Sequence, residues 1–171
     1  MRPTAAPAGP PSAPDQALKI SLLAVGRLGR GAEASLARDY AERATAAGRS
    51  LGLGPVEIIE VEARKSGKAA EGEVLIPHLA GGHVIACDEH GTALSSRAFA
   101  QRIAALRDQG VRRLTLVIGG ADGLDPSVLA SANERLAFGP QTWPHALVRA
   151  MLAEQVYRAV TILAGSPYHR D

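Results

Sequence analysis

Cysteine is nearly absent from this sequence: Cys87 stands alone among 171 residues. That excludes an internal disulfide and any metal cluster built on cysteine, and no metal site is expected. No stretch approaches the ~18 consecutive apolar residues that a membrane-spanning helix needs, so no membrane partner is expected. No apolar run follows Arg2, so the amino terminus does not read as a signal peptide. Together these absences indicate a cytoplasmic protein. Charge of one sign is scarce as well: 19 Lys and Arg face 17 Asp and Glu, a formal net charge of +2. No broad polybasic surface is announced. The balance is nevertheless uneven. Residues 1–68 carry ten Lys/Arg against seven Asp/Glu, and residues 69–138 carry six against eight. The early excess is a weak pointer to an anionic partner, set against ordinary solvated charge. Two nucleotide fingerprints, G-x-G-x-x-G and G-x-x-x-x-G-K-[ST], are also missing, which disfavours dinucleotide and nucleoside triphosphate binding.

What is present is an alternation of strands and helices. Residues 1–16 are mostly Pro, Ala, Gly and Ser. They bury too little to offset the entropy of ordering and read as a disordered extension, leaving residues 17–171 as one domain. Runs of Val, Ile and Leu predict strands over residues 19–25, 56–61, 84–88 and 114–118. Helical spacing places Leu36, Tyr40 and Ala44 on one face over residues 32–47. Over 96–109 it does the same for Phe99, Ile103 and Leu106, with Ser95 or Ser96 as cap and Gly110 as stop. A shorter pattern over 69–79 is interrupted by Gly72 and Pro77. Asp125-Pro126 opens another helix, the Asp as cap. The longest helix is expected from near Pro144 to about Ala164, with Val148, Leu152, Val156, Ala159 and Leu163 as its apolar stripe. The alternation predicts an α/β fold with a mostly parallel sheet covered on both faces.

Four segments could carry chemistry, and each has a plain structural reading beside it. Ile118-Gly-Gly-Ala-Asp-Gly-Leu-Asp-Pro126 leaves a strand at its carboxyl end, where open α/β sheets bind ligands. It reads equally as a tight turn. Phe138-Gly-Pro-Gln-Thr-Trp-Pro-His145 holds the single Trp of the chain; Thr142 could cap the following helix, and Trp143 is either a ligand wall or a packing anchor. In that helix Glu154 and Arg158 are four apart and share a face, which is also the spacing of an ordinary surface pair. His145 at its start is either a functional or a capping histidine. The terminal Ser166-Pro-Tyr-His-Arg-Asp171 sets an aromatic ring, an imidazole and a guanidinium in a row. Those groups stack on bases and take phosphates, or else form a solvated tail.

Taken in order, Leu116-Val-Ile-Gly-Gly-Ala-Asp-Gly-Leu, Thr142-Trp-Pro-His-Ala-Leu-Val-Arg149, Leu152-Ala-Glu-Gln-Val-Tyr-Arg158 and the Tyr168-His-Arg170 ending resemble the ribosomal RNA large subunit methyltransferase H family, of the SPOUT class. The likeness runs from about Leu18 to Asp171 and includes Ala24-Val-Gly26 and Arg64-Lys-Ser-Gly-Lys68. The resemblance implies an α/β knot fold with a C-terminal trefoil knot, S-adenosylmethionine as methyl donor, and a homodimer. It implies N3 of a pseudouridine in helix 69 of 23S rRNA, on the assembled 70S ribosome, as acceptor. It places the cofactor at Cys87, Gly119, Phe138, Gly139, Pro140, Gln141, Thr142 and Trp143. Catalysis or RNA contact would fall to His145, Glu154, Arg158, Tyr168, His169 and Arg170, with the tail acting in one subunit or across to the other. Two departures stand out: the cofactor loop, commonly Ser-rich, is Phe-Gly-Pro-Gln-Thr-Trp, and Cys87 fills a slot commonly held by Leu. Altered affinity with retained chemistry is the expectation. The alternatives are a ribosome-associated binding protein of the same fold without catalysis, and a small α/β enzyme whose Gly119–Gly123 loop takes phosphate.

Overall fold

The computed structural model describes residues 16–171. The extension expected over residues 1–16 therefore lies, but for its last residue, outside the described residues. Five strands, β1 (Leu18–Val25), β2 (Leu53–Val61), β3 (His83–Ala93), β4 (Arg113–Ile118) and β5 (Glu134–Ala137), form one sheet in the order β2-β1-β4-β3-β5. Every neighbouring pair is parallel. Parallel strands need crossovers, and four helices supply them: α1 (Ala32–Gly48), α2 (Lys68–Leu75), α3 (Ser96–Asp108) and α4 (Pro126–Ser131); α5 (His145–Leu163) follows the last strand.

The central strands are apolar on both faces, as a sheet covered on both sides requires. On one face Leu22 and Leu116 pack with Ile103 of α3 and Leu152 and Val156 of α5, and α1 adds Ala37 and Ala44. On the other, Leu23 and Val117 meet Leu75 of α2 and Val128 of α4. Helix α5, the longest, lies against α1 and α3. No helix among the described residues is long and apolar enough to cross a membrane.

The strands and helices predicted from apolar spacing are all present, with three differences. β5 carried no signal, because four residues reading Glu-Arg-Leu-Ala show too little alternation. β2 begins three residues early and runs through Pro55, which an edge strand tolerates because it needs no inward ladder bond there. β3 runs past residue 88 to Ala93, with its register against β5 broken between Cys87 and Thr92. The caps follow the sequence in two cases: Ser95 accepts from the Ala98 amide at 3.1 Å and Asp125 from the Ser127 amide at 2.9 Å. Helix α3 stops as expected at Gly110, whose φ of +81° only glycine adopts freely. Thr142 does not cap α5. Pro144 occupies that position and no side chain caps the helix.

Candidate active site

The carboxyl ends of β4, β3 and β5 open into a cleft of about 450 Å³. Its floor is the glycine loop after β4. Gly123 donates to the Gly120 carbonyl at 3.1 Å, closing a tight turn. A Cβ on Gly119 would lie 2.7 Å from the Gly123 carbonyl carbon, so no larger residue fits. Gly120 donates to Glu71 of α2 at 3.3 Å, which ties the loop to the neighbouring helix. The segment is thus both a tight turn and the wall of a cavity.

The opposite wall is the loop between β5 and α5. Trp143 donates through Nε1 to the Phe138 carbonyl at 3.1 Å and closes the loop on itself, while Gly139 turns at a φ of +92°. The indole is a fastener in a residue that remains 37% exposed. Phe138, Gly139, Gln141, Thr142 and Trp143 all line the cleft, as do Cys87 and Gly119. Pro140 is exposed and lies outside the lining. Desolvation pushes the Cys87 thiol up to about 12, so it stays protonated at neutral pH. His145 lines the cleft with these residues.

Sequence reasoning missed Asp88 and took in Lys68 and Asp122 only as members of longer segments; all three also line the cleft. Asp88 is the notable one: its Oδ2 is buried without a hydrogen bond, and Arg135 approaches only to 3.6 Å. A buried acceptor without a donor is uncommon, and its position next to Cys87 at a strand end was the available signal. Arg149 was missed as well. Its guanidinium is buried, donates to the Val25 carbonyl and to the Gly26 carbonyl at 2.8 Å, and stands 3.6 Å from Glu60. Burial lowers its pKa, against the pull of Glu60. It pins α5 to the carboxyl ends of β1 and β2.

A second constellation gathers lower on α5. Glu154 Oε1 accepts from Arg158 at 3.0 and 2.6 Å and from the Tyr168 hydroxyl at 3.0 Å. Arg158 Nη1 lies 3.2 Å from His169 Nδ1, and His169 Nε2 lies 3.1 Å from Asp171. Arg97 of α3 donates to Asp171 at 2.8 Å and so anchors the end of the chain. The Tyr168 ring meets Tyr157 edge-on at 4.8 Å, with the Arg158 guanidinium 4.9 Å over it. Burial, then bonding to Tyr40 and Glu154, raises the Tyr168 pKa, so the hydroxyl remains a donor. The bonding to Glu154 outweighs desolvation and raises the Arg158 pKa, keeping the guanidinium charged.

The structure therefore brings Glu154, Arg158, Tyr168 and His169 together and leaves Arg170 exposed beside them. It does not bring His145 to them. His145 and Arg158 are separated along α5 by about 20 Å at 1.5 Å per residue. Between cleft and tail lies an apolar hollow lined by Leu36, Leu94, Phe138, Leu147 and Met151, of which Leu36 is 46% exposed.

The family described as "Predicted SPOUT methyltransferase" matches residues 18–169. The chain belongs to that family. Within it the chain is 75% identical over 154 residues to the ribosomal RNA large subunit methyltransferase H of Caulobacter sp. strain K31, covering 90% of this chain and 100% of that protein. The proteins of the same name from Phenylobacterium zucineum and Ruegeria pomeroyi are 70% and 55% identical, each across 90% of this chain and 100% and 99% of their own length. Among solved structures, a probable methylase family protein from Haemophilus influenzae aligns with a TM-score of 0.51 at 14% identity, over 93% of this chain and 72% of that one. A probable methyltransferase from Bordetella pertussis aligns at 0.50 and 11% identity, over 86% and 99%. At those identities the two show a shared fold. The family assignment makes this chain a methyltransferase.

Proposed function

We propose that the chain is an S-adenosylmethionine-dependent methyltransferase of large-subunit ribosomal RNA, working in the cytoplasm as a homodimer on the assembled 70S ribosome. Its acceptor in this reading is N3 of a pseudouridine in helix 69 of 23S rRNA. The cleft carries the proposal. Its volume lies in the range of small-molecule sites, roughly 300–1,000 Å³. Two close-packed loops, over residues 119–124 and 138–143, wall it with main chain, and Gly119, lacking a Cβ, lets the first loop close on Gly123 and Leu124. A neutral thiol at Cys87 adds an apolar surface without a competing nucleophile. Such a pocket fits a nucleoside and an amino acid joined through sulfur. When bound, that group supplies an electrophilic methyl. The residues of the chain then have two tasks, to hold the acceptor in line and to take up one proton.

The tail supplies the second task in this reading. The N3 proton goes in this reading to the Glu154 carboxylate or to the His169 ring, whose Nδ1 faces Arg158 and whose Nε2 faces Asp171. Glu154 and the Tyr168 hydroxyl fix the arginine and keep its charge directed at a developing anion. In this reading one chain's tail does not serve its own cleft, because the cleft meets α5 at His145 and Val148 and the tail meets it at Glu154 and Arg158, about 9 Å or more further along. A second copy seated on the apolar hollow between α1 and α5 would bring its own tail to the cleft of the first. The test is methyl transfer from labelled S-adenosylmethionine to 70S ribosomes and to free 23S rRNA, with the modified nucleotide mapped. One modified pseudouridine, on ribosomes in preference to free RNA, is expected. Calorimetry showing no S-adenosylmethionine binding would instead leave a binding protein that has lost catalysis.

A further inference from the structure

Among the described residues, six Lys or Arg side chains make neither a hydrogen bond nor an ion pair: Arg30, Arg49, Arg64, Lys65, Lys68 and Arg170. Elsewhere the cations have partners, as with Arg97 and Asp171, Arg102 and Glu134, or Arg149 and the β1 carbonyls. Four of these six gather in one region, while Arg49 lies at the other end of the sheet and Arg170 in the tail. Arg30 stands in the loop after β1, Arg64 and Lys65 in the loop after β2, and Lys68 opens α2. All four belong to one edge of the sheet, the edge that holds the cleft. β1 and β2 pair as far as Val25 and Val61, and Gly26 donates to the Val61 carbonyl at 2.7 Å, so the two loops rise side by side. β1 also pairs with β4 up to Ala24 and Ile118, one strand spacing of about 4.8 Å from the glycine loop. Lys68 itself lines the cleft.

Three acids close to the loops after β1 and β2 are already engaged. Glu62 is 3.3 Å from Arg27, Glu60 faces Arg149, and Glu71 holds Gly120. Glu33 in the first turn of α1 and the cleft residues Asp88, Glu89 and Asp122 are further carboxylates at this end of the sheet, and Asp125 faces Lys68. Nor does helix stability explain Lys68, since a cation in the first turn opposes the helix dipole. A row of solvated charges would be the ordinary reading of one lysine. Three unpartnered cations on adjacent loops, Arg30, Arg64 and Lys65, with Lys68 beyond them at the cleft facing Asp125, make a positive ledge instead.

We propose that Arg64 and Lys65, flanked by Arg30 and Lys68, form a ledge that holds backbone phosphates of the substrate RNA while its target base enters the cleft. This rests on the ribosomal RNA reading above. Arg and Lys meet phosphates as exposed, flexible charges, and each neutralised phosphate releases counterions. The ledge would therefore set affinity and register for RNA and leave the cofactor untouched.

The test compares wild type with R64A/K65A and R64E/K65E, and uses R49E, on the opposite edge of the sheet, as control. Thermal midpoint and S-adenosylmethionine Kd should be unchanged throughout. For R64E/K65E the KM for 70S ribosomes should rise by about tenfold or more with kcat nearly intact. In R64A/K65A the slope of log affinity against log salt should fall by about 1.5, for two phosphates at roughly 0.7–0.9 each. R64K should behave as wild type. Unchanged KM and salt slope in R64E/K65E would overturn the ledge, as would an equal loss in R49E. If the wild type does not methylate ribosomes, the substrate reading falls by itself. The ledge is then judged by filter binding to a 23S rRNA fragment, and equal or absent binding by wild type and R64E/K65E overturns it.

Discussion

At the scale of single residues, burial decides which side chains are chemically active. Cys87 loses solvent to the cleft wall, and its thiol rises from an ordinary 9.0 to about 12. The thiolate is the reactive form, so the sign is clear: raising the pKa lowers the reactive fraction at every pH below about 12. Alkylation by iodoacetamide at pH 8 should run at least about tenfold slower than for free cysteine, and its rate should still climb between pH 9 and 11. A plateau near pH 9 would mean that the thiol is solvated, and saturating S-adenosylmethionine should slow the reaction further. Residues of this kind were legible in the sequence only where backbone geometry marked them. Gly119 and Gly139 stood out because tight turns need glycine. Asp88 and Arg149 did not, because no local pattern separates a charge that turns inward from one that faces water.

At the scale of elements, the loop between β5 and α5 shows why a lone tryptophan was ambiguous. Trp143 is an anchor, as its bond to the Phe138 carbonyl shows, and it lines the cleft as well. Trp143→Phe keeps the ring and removes the donor. One lost hydrogen bond of about 1 kcal/mol, released into loop disorder, should weaken S-adenosylmethionine binding by about fivefold. The thermal midpoint should move little, because Trp143 is 37% exposed. Calorimetry and a melt on the same sample separate the two effects, and equal losses in both would return the residue to a purely structural role. Long periodic elements such as α5 could be read directly, and so could the caps at Ser95 and Asp125. β5 could not, since its pairing with β3 is set by tertiary register and not by its four residues.

At the scale of the whole molecule, the sequence shows the order of the functional segments and conceals their separation. Cleft and tail are neighbours in the chain, yet α5 carries them apart. That geometry gives the homodimer proposal a sharp consequence. Gly119→Ala drives a Cβ into the Gly123 and Leu124 backbone and forces open the loop that floors the cleft, and deletion of residues 168–171 removes the tail; each alone should abolish methyl transfer. Mixed after co-expression, they should recover about a quarter of wild-type activity, because half the dimers carry one intact composite site. No recovery, with heterodimers shown to form, would place tail and cleft in the same subunit.

The two ends of the sheet have one more effect. β2 presents Pro55 on its outer edge, and β5 is only four residues long and carries Glu134 and Arg135. Neither border offers the long, flat row of free amides that recruits a foreign strand. Adhesion between copies is thereby steered away from open-ended growth and towards the helical face, where contacts can close on themselves. Concentrated preparations should accordingly saturate at a small, defined assembly and stay free of fibrous precipitate, even though the sheet has two unpaired sides.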